Sequence, residues 1–220
     1  MGSLVIPLSL NNISVSMTNS IADKLRHIIQ TRRSIKPRRF NGKSIEDKLV
    51  WQLLDNGNWA PNHGKAQPWR FFVFTAGGLD RLAQFQADLY RQLTPGERFS
   101  ADKYERMKTN VLKSSHVIVL GMTRQLEAIP EVEDIEAVAC SVQNMMLTAT
   151  AYGISSFWGS GGVTYTDELK AFLGLGPDDR CLGYLYLGYS DDAPPSEQRS
   201  PVGERVIWID GSSAEDSAAR

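Results

Sequence analysis

Ile135, Val138, Ala139, Val142, Met145, Met146 and Ala149 recur at steps of three and four residues, the spacing of one helical face carried through roughly four turns. An apolar stripe of that length needs cover along all of it. It predicts a helix that is either central to the fold or packed on a second chain, ended by Gly153. The Met145–Met146 pair reads as core filling within the stripe. A chain of 220 residues supplies the cover, since one domain of this size hides roughly 70% of its unfolded surface.

Other elements arrange themselves around that helix. Ser20-Ile21-Ala22-Asp23 has the form of a capping box, and Ile21, Leu25, Ile28 and Ile29 follow on one face of a helix running to about Thr31. Ser44-Ile45-Glu46-Asp47 repeats the start signal for a second helix, with Ile45, Leu49, Leu53 and Leu54 as its buried stripe and a stop near Asn56-Gly57. The unbroken run Trp69 to Thr75, between Pro68 and Gly77, predicts a buried strand, and Gly77-Gly78 opens another helix. A polar helical stretch, Ala101 to Lys113, precedes a second strand, His116 to Met122, whose β-branched content decides against helix. Ile154 to Trp158, Leu182 to Tyr189 and a short Val206 to Ile209 complete the strands. With no regular βαβ rhythm and no repeat, the class is α+β.

Composition excludes several kinds of partner. With 42% hydrophobic and 22% charged residues the chain is an ordinary globular one, and a net charge of −1 gives no global attraction for nucleic acid or an anionic membrane. No apolar run approaches the roughly 20 residues that span a bilayer. Cys140 and Cys181, far apart and outside any CxxC arrangement, read as two core thiols in a reducing, cytoplasmic compartment. Residues 1–19 read as an N-terminal extension without signal-peptide features and with Met17 as an expected start, 20–210 as the folded domain, and 211–220 as a flexible tail.

Three segments carry the chemistry. Arg32 to Lys43 holds six basic residues and no acid, so an otherwise acidic chain concentrates positive charge here. Arg32-Arg33-Ser34 directly after a helix offers forked cations and a hydroxyl to a phosphate, although a solvated basic loop has the same composition. Ala60-Pro61-Asn62-His63-Gly64-Lys65-Ala66-Gln67-Pro68 is a turn-rich polar loop feeding a strand, where His63 and Gln67 face a ligand or satisfy loop backbone. Tyr152 to Gly162 is dense in glycine and lets a flat ring approach backbone N–H groups, yet it matches neither a Walker loop nor GxGxxG.

Taken in order, these segments resemble the nitroreductase family of FMN-dependent oxidoreductases, especially its small bacterial members, over about Ile21 to Ile209. The resemblance rests on Arg32-Arg33-Ser34, on Ala-Pro-Asn-His and Gln-Pro-Trp before the first strand, on Gly153 to Gly161, and on Gly183 to Tyr189. It implies a mixed β-sheet flanked by helices in an intertwined homodimer, with FMN at the interface and the Ile135 to Ala149 helix between subunits. It also implies that Arg32 and Ser34 hold the FMN phosphate and ribityl chain with Arg33 beside them, and that Lys36 lies near the pyrimidine edge of the flavin. Trp59, His63, Lys65 and Gln67 match loop positions that meet FMN, in part from the second subunit. Trp158, Gly159 and Ser160 match the segment over the ring, and Thr148, Ala149, Thr150, Ala151, Tyr152 and Gly153 a stretch linked to NAD(P).

The activity implied is ping-pong hydride transfer from NAD(P)H through FMN to a nitroaromatic, quinone or similar small electron acceptor, with no side-chain nucleophile or base and no metal. Dehalogenation, enone reduction and flavin fragmentation are alternatives on the same fold, and FMN storage or sensing is one without turnover. Two features depart from the family pattern: Lys65 stands where many members have Asn, and His63 characterises one branch. Arg199 is a possible further phosphate cation.

Overall fold

The structure is a computed structural model, and it describes residues 20–124 and 129–209. The expected N-terminal extension and C-terminal tail lie outside the described residues. Six helices and four strands follow in the order α1 (Ile21–Thr31), α2 (Asp47–Asn58), β1 (Trp69–Phe74), α3 (Gly77–Leu93), α4 (Ala101–Leu112), β2 (His116–Met122), α5 (Glu131–Ala151), β3 (Ser155–Gly159), α6 (Asp167–Leu173) and β4 (Arg180–Gly188). No helix among them is long and apolar enough to cross a membrane.

The strands pair antiparallel in the order β1-β2-β4-β3. Alternation along β2 and β4 builds a core on each face of the sheet. Ile118, Leu120, Met122, Leu185 and Leu187 meet α2 and α5, through Leu53, Val138, Val142 and Met145. Val117, Val119, Tyr184 and Tyr186 meet α3 and α6, through Leu79, Leu82 and Leu169. Covered on both faces, β2 is buried at all seven positions, which is why its sequence is a continuous apolar run. The sheet becomes mixed only beyond β3, where Ser34 forms an isolated parallel bridge with Ser156.

The α+β class and most elements agree with expectation, including the Ser20 cap, whose hydroxyl accepts the Asp23 N–H at 3.1 Å. Several expectations are corrected. The second helix starts at Asp47 with Glu46 before it and no side-chain cap, and Ile45, whose N–H donates to Ser115 Oγ at 2.7 Å, lies before the helix. The Trp69 strand is an edge strand, buried only at Trp69, since β2 covers one side of it. Val206 to Ile209 forms no strand, and Ile207, Trp208 and Ile209 are exposed. Cys140 is exposed while Cys181 is buried. The long stripe divides: Val138, Val142, Met145 and Ala149 are fully buried in the chain's own core, whereas Ile135 is 37% exposed. Helix α6 was not foreseen, although Thr166, accepting the Leu169 N–H at 3.2 Å, and Gly174 at φ 72° mark its ends.

Candidate active site

Helix α1 stops at Arg32, whose N–H still reaches Ile28 O at 3.0 Å, and the chain continues extended along the free edge of β3. The Ile35 N–H donates to Ser156 O at 2.9 Å. An extended chain sends successive side chains to opposite sides. Ile35 and Pro37 accordingly turn inward, and Ser34 and Lys36 are exposed. Arg33 lies on the inward side. Its guanidinium donates to Pro195 O at 3.0 Å and Gln30 O at 2.7 Å, and stands 3.9 Å from Glu197.

Further along, the same basic segment grips the chain that leaves β4. Arg39 pairs with Asp192 at 2.7 Å and donates to Ala193 O at 3.1 Å. Asn41 and Lys43 both reach Asp191, at 2.8 and 3.7 Å. Of the six basic residues, Arg33, Arg39 and Lys43 are therefore engaged with residues 191–197. The side chains of Arg32, Lys36 and Arg38 have no ion pair or hydrogen bond among the described residues. An unpaired guanidinium, a hydroxyl and an amine on one face of an extended segment form a donor set suited to a phosphate monoester.

The Ser34–Ser156 bridge brings this donor set to the glycine-rich segment, so the first and third sequence motifs share one site. Within β3, the Trp158 indole N–H is already spent on Leu182 O at 3.0 Å, and the ring packs into the core. Trp158 thus offers a ligand its backbone, next to Gly159 and the exposed Ser160. Gly183, at φ 127°, seats the indole: a Cβ there would stand 2.6 Å from Gly159 O and 2.7 Å from Trp158 Nε1. At the end of α5 the Thr148 and Thr150 hydroxyls donate to their own helix, to Asn144 O and Met146 O, both at 2.9 Å. Ala149 is fully buried and Thr148 and Thr150 half-buried, while Ala151, Tyr152 and Gly153 are exposed.

The second motif lies elsewhere. The loop after α2 makes a tight turn at His63–Lys65, with Gly64, Lys65 and Gln67 in left-handed conformations at φ 58°, 58° and 46°. Two of these are not glycine, which costs about 1–2 kcal/mol each and requires outside support. Asn62 Oδ1 accepts the Gln67 N–H at 3.0 Å, and Glu133 Oε2 holds His63 Nδ1 at 2.6 Å. Glu133 is in the first turn of α5, whereas Ser34 and Ser156 lie beyond its last turn. The 17 steps from Glu133 to Thr150 span ~25 Å of helix, so one chain does not gather all three motifs. Trp59, beside this loop, is 81% exposed.

A model of the nitroreductase family matches residues 29–189. The chain belongs to the nitroreductase family. It is 28% identical over 82% of its length to YfhC of Bacillus subtilis, which carries the provisional name NAD(P)H nitroreductase and is covered to 92%. Among solved structures, a nitroreductase-like protein from Bacillus cereus is 29% identical with a TM-score of 0.75, covering 85% of this chain and 96% of its own. A provisionally named nitroreductase from Desulfovibrio desulfuricans, solved with FMN, is 25% identical with a TM-score of 0.65, covering 84% and 96%.

This nitroreductase carries site features that the sequence reading missed. These are Glu133, the indole seat at Leu182 and Gly183, and the acidic counterparts of the basic segment at Asp191, Asp192 and Glu197. Asp191-Asp192 directly after the last strand was the available signal, since a basic run without local acids seeks them elsewhere. Arg199 forms a paired contact with Glu197 at 2.7 and 3.1 Å. Burial pushes the Cys181 thiol up to about 11 and raises the Tyr184 and Tyr186 hydroxyls, so none of the three supplies an anion near neutral pH.

Proposed function

We propose that the protein is an NAD(P)H-dependent oxidoreductase that holds FMN and reduces small electron-poor compounds such as nitroaromatics or quinones. The observation that carries this reading is the unpaired face of Arg32, Ser34 and Lys36 beside the glycine-rich end of β3. FMN ends in one phosphate, and the solved relative from Desulfovibrio desulfuricans holds FMN. The provisional name of YfhC supports NAD(P)H as donor. Bound here, FMN would accept hydride from NAD(P)H and pass it to the acceptor in two half-reactions.

The chain's own residues bind and position. Arg32 and Ser34 take the phosphate, while Lys36 stands toward the pyrimidine edge of the ring. The backbone from Trp158 to Ser160 meets the flat face, and Ala151 to Gly153 leave room for nicotinamide. Arg33 supports the site from behind through its contacts with Gln30 and Pro195.

A homodimer completes the site. Two copies of α5 packed antiparallel about a twofold axis bring Glu133 of one chain toward the end of its partner's α5, and with it the loop bearing Trp59, His63, Lys65 and Gln67. Exposed apolar side chains support a second copy: Ile21, Leu25 and Ile29 on α1, Trp51 and Trp59 near α2, and Ile207 to Ile209 beyond β4. Among the described residues one edge of β1 has no partner strand, which supports an intertwined arrangement, since an exposed edge strand invites another chain.

An absorbance spectrum before and after anaerobic NAD(P)H tests the reading. A yellow protein that releases FMN on denaturation and bleaches with NAD(P)H, then recovers on adding a quinone, is the expected result. A colourless protein that fails to take up FMN would overturn it, and bound FMN that NAD(P)H leaves oxidised would assign storage instead.

A further inference from the structure

Among the described residues His63 makes the one side-chain hydrogen bond between the strained loop and α5, and the chemistry of its partner fixes how it is held. Glu133 sits at the amino end of a 21-residue helix, where the aligned peptide dipoles favour negative charge. The neighbouring carboxylates of that turn have their own cations, Glu131 with Arg180 at 2.7 Å and Asp134 with Arg124. Glu133 is left to the imidazole. A carboxylate can only accept, so His63 Nδ1 donates, and the lone pair of the neutral ring falls on Nε2. Among the described residues Nε2 has no partner, and the side chain is 58% exposed.

We propose that Glu133 is a positioning residue, which by accepting the Nδ1–H orients the His63 ring and presents Nε2 to the flavin held by the partner subunit. The inference rests on the functional reading above and adds to it the group that sets ring orientation and tautomer. The loop backbone cannot do this alone: its internal hydrogen bonds fix Gln67 and Ala66, while the imidazole turns about its own side-chain bonds. A carboxylate that accepts one ring N–H is a general device for fixing the other nitrogen, as behind metal-ligating histidines.

Two measurements test it on the full chain. The first is a long-range ¹H–¹⁵N spectrum of the FMN-free protein. Wild type should show His63 mainly as the Nδ1–H form, and Glu133→Gln, whose amide both donates and accepts, should mix the two tautomers. The second is FMN titration of apoprotein in a double-mutant cycle. Glu133→Gln should weaken FMN by about three- to tenfold, His63→Ala at least as much, and the double variant no more than His63→Ala alone. A Glu133→Gln loss that is equal with and without His63 would mark a structural role in α5 and overturn the proposal. Unchanged tautomers in Glu133→Gln would overturn it too. If His63→Ala binds FMN normally while Arg32→Ala does not, the cofactor reading stands and this inference falls. A wild type that takes up no FMN removes both.

Discussion

Between Arg32 and Lys36, neighbouring side chains have opposite surroundings, and that alternation separates two arginines with the same chemistry. Arg33 is held by Pro195, Gln30 and Glu197, whereas Arg32 keeps its guanidinium unpaired. Arg32→Ala is therefore expected to weaken FMN by about 1.5–3 kcal/mol, ten- to a hundredfold. Arg33→Ala should cost affinity much less and show its effect in thermal stability, and equal affinities for wild type and Arg32→Ala in an apoprotein titration would refute the assignment. Lys36→Met should lower the midpoint potential of bound FMN by about 20–45 mV, because a cation near the pyrimidine edge favours the reduced, more negative flavin. Superimposable spectroelectrochemical titrations would remove Lys36 from the site. That Arg32, Ser34 and Lys36 share one side of an extended segment was legible because their spacing is local. The role of Arg33 was hidden because its acceptor, Pro195, lies 162 positions away.

Strand β4 shows how one element can depend on a single backbone conformation. Its register against β2 shifts between Leu120 and Gly121, opposite Gly183, and that irregularity leaves the Leu182 carbonyl free for the Trp158 indole. Gly183→Ala would meet Gly159 O and Trp158 Nε1 at distances that no Cβ tolerates, in a conformation costly for any side chain. A loss of at least about 2 kcal/mol in urea unfolding is expected, with altered tryptophan fluorescence, and wild-type stability would show that the bulge is not needed. Periodicity revealed β2, β4 and α5 because both faces of those strands, and most of the helix, meet the chain's own core. It misjudged Trp69 to Phe74, since a strand covered on one side by protein and awaiting cover on the other looks equally apolar in sequence. The start of α2 lies later than the Ser44 signal implies, because Ile45 is tied outside the helix by a contact 70 residues away, its N–H donating to Ser115 Oγ.

For the molecule as a whole, the proposed antiparallel pairing of α5 makes a specific demand. Cys140 lies at the middle of Glu131–Ala151 on its exposed side, so a twofold axis through the helix pair sets each Cys140 near its own copy. Mild oxidation should yield a disulfide-linked dimer that Cys140→Ser abolishes. Cys181, buried and raised to about 11, should stay unreactive. A chain that remains monomeric on a non-reducing gel while Cys140 is demonstrably free would count against this packing. The apolar surface of α1 and residues 207–209 adds a second expectation, that the unfolding temperature rises with protein concentration, as for any fold completed by its own copy. The contacts holding residues 191–197 to the basic segment have a different character from the core: beside hydrogen bonds from Arg33 and Arg39 to the Pro195 and Ala193 carbonyls, they are charge pairs with solvent-accessible acids, worth little singly. Screening acts on them and leaves apolar packing intact, because the Debye length shrinks from about 8 Å at physiological ionic strength to about 3 Å at 1 M. The stretch just beyond β4 is in that sense a hinge whose stiffness is set by dissolved ions: added salt should loosen residues 191–197 while the sheet beneath stays folded.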